Sequence, residues 1–342
     1  MKQFVEKLKG KTVGPRGRKT SMTSPVFGEI PLVNQIGRTA LSLAVWLPFA
    51  CADSTWEPGR TSGGIYFESV GRGPPVVLVH GFSLDRRMWD AQVPPLRSKH
   101  RVLRYDLRGH GLSAPWKEPF SAVQDLLDVF DAAGLSRGVI VGLSAGAEIA
   151  VDFALAHPDR VAGLVLASPG LSGYQPVGSF DWMAPVMIEL QAGEMERAME
   201  AWAETPLMAI PGDPAADSVM RAIVRENWRI WTYDPGLQRP PDPPSLDSLS
   251  EITAPALVLI GESDLIDTKR VGDTLAACLP RVELVTIPEA GHLLNLEAPG
   301  AFAEAVLRFL EDPLVSAADS SVGHEVSDGT EALEPGSARQ GG

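Results

Sequence analysis

Apolar residues fall into seven short runs along the chain, and the stretches between the runs are polar or amphipathic. Gly, Pro and charged residues bound the runs, which is typical of β-strands. Several runs contain almost no polar residue, as expected for parallel strands that are covered on both faces of a sheet. The predicted strands are GGIYFESV (63–70), PPVVLVHG (74–81), RVLRYDL (101–107), GVIVGL (138–143), VAGLVLAS (161–168), PALVLIG (255–261) and RVELVTIP (281–288).

Helical patterns alternate with these strands. One ends in DVFDAAG (128–134), a second is AGAEIAVDFALAHPD (145–159), and the last is PGAFAEAVLRFLED (299–312). Strands that alternate with helices form a mostly parallel sheet with helices on its faces. The sequence therefore predicts an α/β core that spans residues 54–169 and 254–312. The glycines at 71 and 73, between the first two strands, predict a hairpin there.

Residues 170–253 interrupt this alternation. Two amphipathic helical stretches rich in Met and Trp, WMAPVMIELQAGEMERAMEAWAE (182–204) and SVMRAIVRENWRIW (218–231), lie within them. A proline-rich run (239–245) then returns the chain to the next strand. We expect this insertion to form a helical cap on the α/β core.

The two ends of the chain differ from the core. Residues 1–53 begin with a basic stretch and contain the apolar run ALSLAVWLPFA (40–50), which closes in Ala50-Cys51-Ala52. This order resembles a secretory signal peptide with its cleavage site, and the alternative is an amphipathic segment packed on the domain. Export and a cytoplasmic location both stay open. Residues 313–342 contain few large apolar side chains and predict a disordered tail.

Composition and charge narrow the classes of partner. The chain has 342 residues, 44% of them hydrophobic and 21% charged, with a net charge of −13. This charge disfavours nucleic acid and anionic lipid as partners, so the expected partner is a small, uncharged substrate. The apolar run near the N-terminus is too short to span a bilayer, which needs about 20 residues. The oligomeric state is not indicated by any feature of the sequence.

No cofactor, metal site or disulfide framework is expected. The two cysteines, Cys51 and Cys278, form no CxxC pair, and no HExxH motif occurs. Residues 109–114 fit the G-x-G-x-x-A dinucleotide fingerprint, but that fingerprint must open a helix. Pro115 and Pro119 oppose a helix at this position, so nicotinamide binding is not predicted.

Ser144 lies in GLSAG (142–146), between a strongly predicted strand and a strongly predicted helix. The pattern G-x-S-x-G in this context is typical of a nucleophile elbow, a sharp turn that exposes the hydroxyl at the carboxyl end of the sheet. The flanking glycines leave room for the strand and the helix to approach each other. We expect Ser144 to be a catalytic nucleophile, and the alternative role is that of a helix N-cap.

A serine nucleophile needs a base, because its hydroxyl is a weak nucleophile at neutral pH. His292 follows the last predicted strand, at the same sheet edge as Ser144, and is the expected base. The other five histidines lie in the tail, beside a helix end, before a strand, or in turns where they could orient the backbone: His324, His157, His100, His80 and His110.

An acid that holds the imidazole is expected after another strand. Asp264 follows the strand before His292 and is the expected acid, with Glu262 and Asp267 as rivals. The order of the three candidate groups along the chain is therefore Ser144, Asp264, His292.

Together with the elbow, four further motifs resemble those of the α/β-hydrolase superfamily: VVLVHGFS (76–83), YDLRGHGLSAP (105–115), GESD (261–264) and GHLLNLEAP (291–299). The resemblance covers roughly residues 60–312. It implies a mostly parallel sheet of eight strands flanked by helices, with the cap inserted before the acid-bearing strand. It also implies an oxyanion hole formed by the backbone N–H groups of Phe82 and Ala145.

The serine at position 144 argues against the dehalogenases and epoxide hydrolases of this fold, which use an aspartate nucleophile. The resemblance is to serine esterases, enol-lactonases and carbon–carbon bond hydrolases. It implies cleavage of an ester or lactone through an acyl-enzyme, with carbon–carbon bond cleavage, cofactor-free perhydrolysis and a non-catalytic ligand receptor as alternatives.

Five apolar residues are candidates for the substrate pocket, although residues of this kind at helical spacing more often pack a cap onto its core. They are Leu143, Trp182, Trp202, Trp228 and Trp231.

Overall fold

An eight-stranded sheet forms the centre of the computed structural model, which describes residues 55–312 and Val315. Its strands are β1 (Glu57–Arg60), β2 (Tyr66–Val70), β3 (Pro75–Val79), β4 (Arg101–Tyr105), β5 (Gly138–Leu143), β6 (Val161–Ala167), β7 (Ala256–Gly261) and β8 (Val282–Ile287). Their order across the sheet is β1-β2-β4-β3-β5-β6-β7-β8. β3 to β8 run parallel, whereas β1–β2 and β2–β4 are antiparallel pairs. The predicted α/β fold is confirmed.

The hairpin predicted between the first two apolar runs is wrong. β4 lies between β2 and β3 and pairs with both of them. The connection from β2 to β3 instead passes close to the backbone that leads into β4. Gly71 has φ +82°, and a Cβ on it would lie 2.5 Å from the carbonyl oxygen of His100. Glycine is required here by that close approach and not by a two-strand turn.

The sequence pattern does not predict β1. Its four residues carry no apolar alternation, and they include Pro58 and Gly59, which disfavour strand interiors. β1 is nevertheless formed at the edge of the sheet, where it pairs with β2 alone.

Helices cover both faces of the sheet. In the described region they are α1 (Val93–Leu96), α2 (Ala122–Ala132), α3 (Ala145–Ala156), α4 (Ala184–Ala192), α5 (Met195–Ala203), α6 (Pro214–Glu226), α7 (Ile266–Cys278), α8 (Leu294–Glu297) and α9 (Pro299–Leu310). Val76 and Leu78 of β3 belong to the apolar cluster that includes α9, and Val77 and Val79 to the cluster that includes α2 and α3. Both faces are therefore buried, which explains the nearly continuous apolar runs.

The helices α4, α5 and α6 lie between β6 and β7, so a helical cap is inserted before the strand that leads to Asp264. The helical stretch predicted over 182–204 is two helices, because Gly193 ends α4 in the left-handed conformation (φ +77°). Asn227, which follows α6, ties the cap to the core. The Asn227 side-chain Nδ2 donates to Asp85 (2.9 Å), and its side-chain Oδ1 accepts from the Gly111 N–H (2.7 Å).

The predicted leader, residues 1–53, and the predicted tail, except Val315, lie outside the described residues. No helix within 55–312 is both long and apolar enough to cross a membrane. Cys278 is exposed and is not in a disulfide.

Candidate active site

Ser144 lies on the sharp turn between β5 and α3. Its φ of +55° and ψ of −114° place a non-glycine residue in a strained region of backbone space, which costs about 1–3 kcal/mol. The Ser144 N–H donates to the Ala167 carbonyl (2.9 Å), and the Ser144 carbonyl accepts from the Gly170 N–H (3.1 Å). These bonds on both sides hold the strained turn in place. In the structure as described, the Ser144 side chain makes no hydrogen bond that caps α3.

The two glycines of the elbow are required by close backbone contacts. A Cβ on Gly142 would lie 2.4 Å from the carbonyl oxygen of Gly146. A Cβ on Gly146 would lie 2.2 Å from the carbonyl oxygen of Val79 in the neighbouring strand β3. Both distances are far below van der Waals contact, so α3 can begin this close to the sheet only when these positions lack side chains.

His292 and Asp264 form a buried pair in the loops after β8 and β7. The His292 Nδ1 lies 3.0 Å from Asp264 Oδ1 and 3.2 Å from Oδ2. Burial acts to raise the pKa of Asp264, but the charge of His292 and the hydrogen bonds that the carboxylate accepts, including those from His292 and the Leu265 N–H, together outweigh burial and lower that pKa. The Asp264 carboxylate is therefore ionised at neutral pH. A carboxylate on Nδ1 leaves Nε2 of a neutral imidazole free to accept a proton.

The rival acids serve other contacts. Glu262 is exposed, and its carboxylate accepts from the Glu289 N–H at 3.1 Å. Asp267 accepts from the backbone of Val177 and Gly178 in the segment that leads into the cap, so it joins α7 to that segment.

His80 and His110 have backbone partners. His80 Nδ1 donates to the Gly81 carbonyl (2.8 Å), and its Nε2 accepts from the Leu107 N–H (2.8 Å). His110 Nε2 accepts from the Ser83 N–H (3.2 Å). Burial lowers the pKa of His80 to about 4 and that of His110 to about 3, so both rings are neutral and can accept these bonds at pH 7. The backbone-orienting role considered for them from the sequence agrees with these contacts.

The remaining histidines lie away from this arrangement. His100 is buried beside the Leu96 carbonyl before β4, and His157 follows the last residue of α3. His324 lies outside the described residues.

The backbone amides of Phe82 and Ala145 lie at the start of the loop after β3 and at the first residue of α3. Among the described residues, neither amide donates a hydrogen bond to another protein group. Phe82, Ala145, Ser144 and His292 all line one cavity of about 1200 Å³. Two unbonded N–H groups beside a serine at a helix N-terminus can stabilise a developing oxyanion.

The structure divides the predicted pocket residues. Leu143, Trp182 and Trp202 line the cavity, but Trp228 and Trp231 do not. Trp228 is 39% exposed on the cap surface. Trp231 packs edge-on against the Phe82 ring at 5.2 Å and thus lies behind the cavity wall. Spacing along a helical stretch does not show which side faces the core, so the sequence could not separate these two residues from the three that line the cavity.

Two acidic residues that sequence reasoning missed line the cavity from α3. Glu148 and Asp152 lie four and eight residues after Ser144, so they project from the same side of the helix. Burial raises the pKa of both, and that of Asp152 reaches about 7. The Ser245 hydroxyl donates to the Asp152 carboxylate and joins α3 to the segment before β7. Their spacing of four and eight residues from Ser144 is the sequence signal that could have identified them as cavity residues.

Residues 109–114 form turns and do not open a helix. Asp106 orders this segment, since its carboxylate accepts from the Leu112 N–H (2.8 Å) and is paired with Arg86 (2.7 Å). Within 55–312, no three His, Cys, Asp or Glu side chains are grouped so that they could hold a metal ion.

The chain belongs to the alpha/beta hydrolase family, whose model matches residues 76–305. Pimeloyl-(acyl-carrier protein) methyl ester esterase of Nitrosomonas europaea is 25% identical over 255 residues, which cover 70% of this chain and 96% of that protein. A thermophilic esterase from Thermogutta terrifontis is 29% identical, with a TM-score of 0.63 over 75% of this chain and 98% of that one. The enol-lactonase from Burkholderia xenovorans LB400 is 26% identical, with a TM-score of 0.61 over 75% of this chain and 100% of that one. The protein is therefore a hydrolase of this fold that resembles its esterase members.

Gly146→Ala is expected to destabilise the fold by about 3 kcal/mol or more, because the new methyl group would overlap the Val79 carbonyl. Gly300→Ala is the matched control, since nothing lies within 4 Å of a Cβ at that position in α9. Urea unfolding followed by circular dichroism measures both. Equal stability of the two variants would contradict the close contact.

Asp152→Asn is expected to change the pH dependence of stability. The pKa of Asp152 is about 7 in the folded parent, compared with an ordinary value of 3.8. Between pH 3.8 and pH 7, the folded chain therefore keeps a proton on Asp152 that the unfolded chain has released. The stability of the parent therefore falls as pH rises from about 4 to 7. The variant should match the parent at pH 4 and have a Tm several degrees higher at pH 8. Asp159→Asn, at an exposed site, is the control, and a parallel change in both variants would refute the assignment.

Proposed function

We propose that the protein is a serine hydrolase that cleaves a carboxylic ester or lactone through an acyl-enzyme. The observation that carries the proposal is one cavity wall on which three features meet. These are the strained Ser144 elbow, the His292–Asp264 pair at 3.0 Å, and the unbonded amides of Phe82 and Ala145.

In the proposed reaction, Ser144 Oγ adds to the substrate carbonyl carbon while His292 Nε2 takes the hydroxyl proton. The Phe82 and Ala145 N–H groups donate to the oxyanion that forms. The bond from the carbonyl carbon to the leaving oxygen then breaks, and His292 returns the proton to that oxygen. Water adds to the acyl-enzyme with His292 again as base, and collapse releases the carboxylic acid and free Ser144.

Asp264 has an electrostatic role in this reaction. Its ionised carboxylate holds the proton of His292 on Nδ1 and stabilises the imidazolium that forms when Nε2 takes a proton. The pair is buried, which strengthens this interaction compared with water.

The cavity supports a neutral substrate. Arg108, one of the two arginines among its described lining residues, is paired with Asp125 at Nε (2.9 Å) and Nη2. The other, Arg239, is exposed. Glu148 and Asp152 add acidic groups to the same cavity, so a substrate carboxylate would lack a partner beside them. The esterase and enol-lactonase names of the relatives agree with cleavage at a carboxylic carbonyl.

Ser144→Ala should lower the hydrolysis of p-nitrophenyl butyrate by about 10⁴-fold or more, because the nucleophile is lost. A fluorophosphonate probe should label the parent protein at Ser144, as mapped by mass spectrometry, and should not label the variant. Ser98→Ala, at an exposed serine outside the cavity, should behave as the parent. A folded parent protein that is neither active nor labelled would overturn the proposed function and favour a ligand receptor.

Asp264→Asn should lower kcat by about 10³- to 10⁴-fold, since the amide cannot hold the required tautomer or stabilise the imidazolium. Glu262→Gln is the matched control, because Glu262 follows the same strand but is exposed and bonds to the backbone of Glu289. Steady-state kinetics at pH 7 measures both variants. A larger loss in Glu262→Gln than in Asp264→Asn would assign the acid to the rival residue.

A further inference from the structure

Ser83, the residue after Phe82, is held in an unusual conformation. It is fully buried and has φ +62°, in the left-handed region that a serine seldom adopts. Strained residues of this kind persist only when the surrounding structure determines their geometry. The contacts that fix Ser83 therefore also bear on the orientation of the neighbouring peptide groups.

Two side chains from different parts of the chain hold Ser83. The His110 ring, from the turn after β4, accepts from the Ser83 N–H at 3.2 Å. The Trp202 indole, from α5 of the cap, donates from Nε1 to the Ser83 hydroxyl oxygen at 2.7 Å. Trp202 is 3% exposed, so water does not compete strongly for this bond.

The Phe82 N–H belongs to the peptide group between Gly81 and Phe82, and that group is fixed from its other side. His80 Nδ1 donates to the Gly81 carbonyl oxygen at 2.8 Å. Because the peptide is planar and trans, its N–H points away from its carbonyl oxygen. His80 thus sets the direction of the Phe82 N–H, and Ser83 fixes the backbone on the C-terminal side of the same residue.

The Phe82 side chain is also held by the cap. Its ring packs edge-on against Trp202 at 6.1 Å and against Trp231 at 5.2 Å. The two indoles pack edge-on against each other at 5.1 Å. The cap therefore contacts the loop after β3 through a hydrogen bond to Ser83 and through the Phe82 ring.

We propose that Trp202 is a positioning residue of the oxyanion hole, which acts through its hydrogen bond to Ser83 and so makes the cap set the orientation of the Phe82 amide. This inference rests on the proposed hydrolase function. Trp202 also lines the cavity, so the side chain that holds the amide in place borders the space available to a substrate. Loss of its N–H should leave the Phe82 amide present but poorly aligned.

Two single substitutions remove the hydrogen bond from opposite sides. Trp202→Phe removes the N–H and keeps an aromatic ring, and Ser83→Ala removes the acceptor. Each should lower kcat by about 10- to 100-fold with KM changed by less than about threefold, because the oxyanion forms only in the transition state. The double variant should lose no more activity than the single variants, since both remove the same bond.

Transition-state affinity separates positioning from a structural role. The affinity for a trifluoromethyl ketone, which forms a tetrahedral adduct with the serine, should fall by the same factor as kcat/KM. Ser83→Gly adds a second test, because glycine accepts φ +62° without strain. Its Tm should be higher than that of Ser83→Ala, whereas its kcat should fall as much, because both variants remove the acceptor of the Trp202 N–H. Trp56→Phe, beside Arg104 and outside the cavity lining, is the matched control and should resemble the parent.

Three results would overturn the inference. They are a kcat within about threefold of the parent in both single variants, a loss confined to KM, or multiplicative losses in the double variant. A parent protein without turnover or fluorophosphonate labelling would instead refute the proposed function, so the two failures are distinguishable.

Discussion

The close approach of helix α3 to strand β3 is the constraint on which the site depends. The carbonyl oxygen of Val79 occupies the space that a Cβ on Gly146 would need. The missing side chain lets the N-terminus of α3 lie against the sheet, directly after the turn at which Ser144 has a positive φ. The same approach brings the first amide of α3 beside the loop after β3. The positions of the serine, the helix N-terminus and the Ala145 amide therefore depend on one steric arrangement.

Three buried histidines near the carboxyl edge of the sheet have different roles because their surroundings differ. His80 and His110 are neutral and accept backbone N–H groups, so they act as fixed parts of the loops. The His292 Nδ1 is instead hydrogen-bonded to the Asp264 carboxylate, and His292 lines the cavity. A histidine whose two nitrogens both have backbone partners has no free site for proton transfer, whereas His292 keeps Nε2 available.

The sequence predicted the parts of the fold that depend on local patterns. Runs such as GVIVGL (138–143) appear as strands with the predicted bounds, because continuous apolar character is typical of parallel strands buried on both faces. β4 lies between β2 and β3 because of pairing between segments that are distant in the sequence. The glycine-rich connection from β2 to β3 does not indicate this pairing. Residues with roles set by tertiary packing, such as Trp231 and Ser83, had no distinguishing local signal.

The candidate site was predictable for a related reason. Ser144, Asp264 and His292 follow separate parallel strands, and the carboxyl ends of such strands meet at one edge. Their meeting is thus a consequence of topology that the sequence order contains. The lining that the cap contributes could not be predicted in this way. Its residues lie on helices, and the packing of those helices decides which side chains face the cavity.

The attachment of the cap through Asn227 has a consequence for how the protein could diverge. Asn227 bonds to Asp85 and to the Gly111 backbone, and none of these three residues lines the cavity. The cap thus has one polar anchor, at Asn227, that is separate from its inner wall. Mutations at wall residues other than Trp202 could change the range of accepted molecules, while this anchor and the catalytic groups beneath the cap are inherited unchanged.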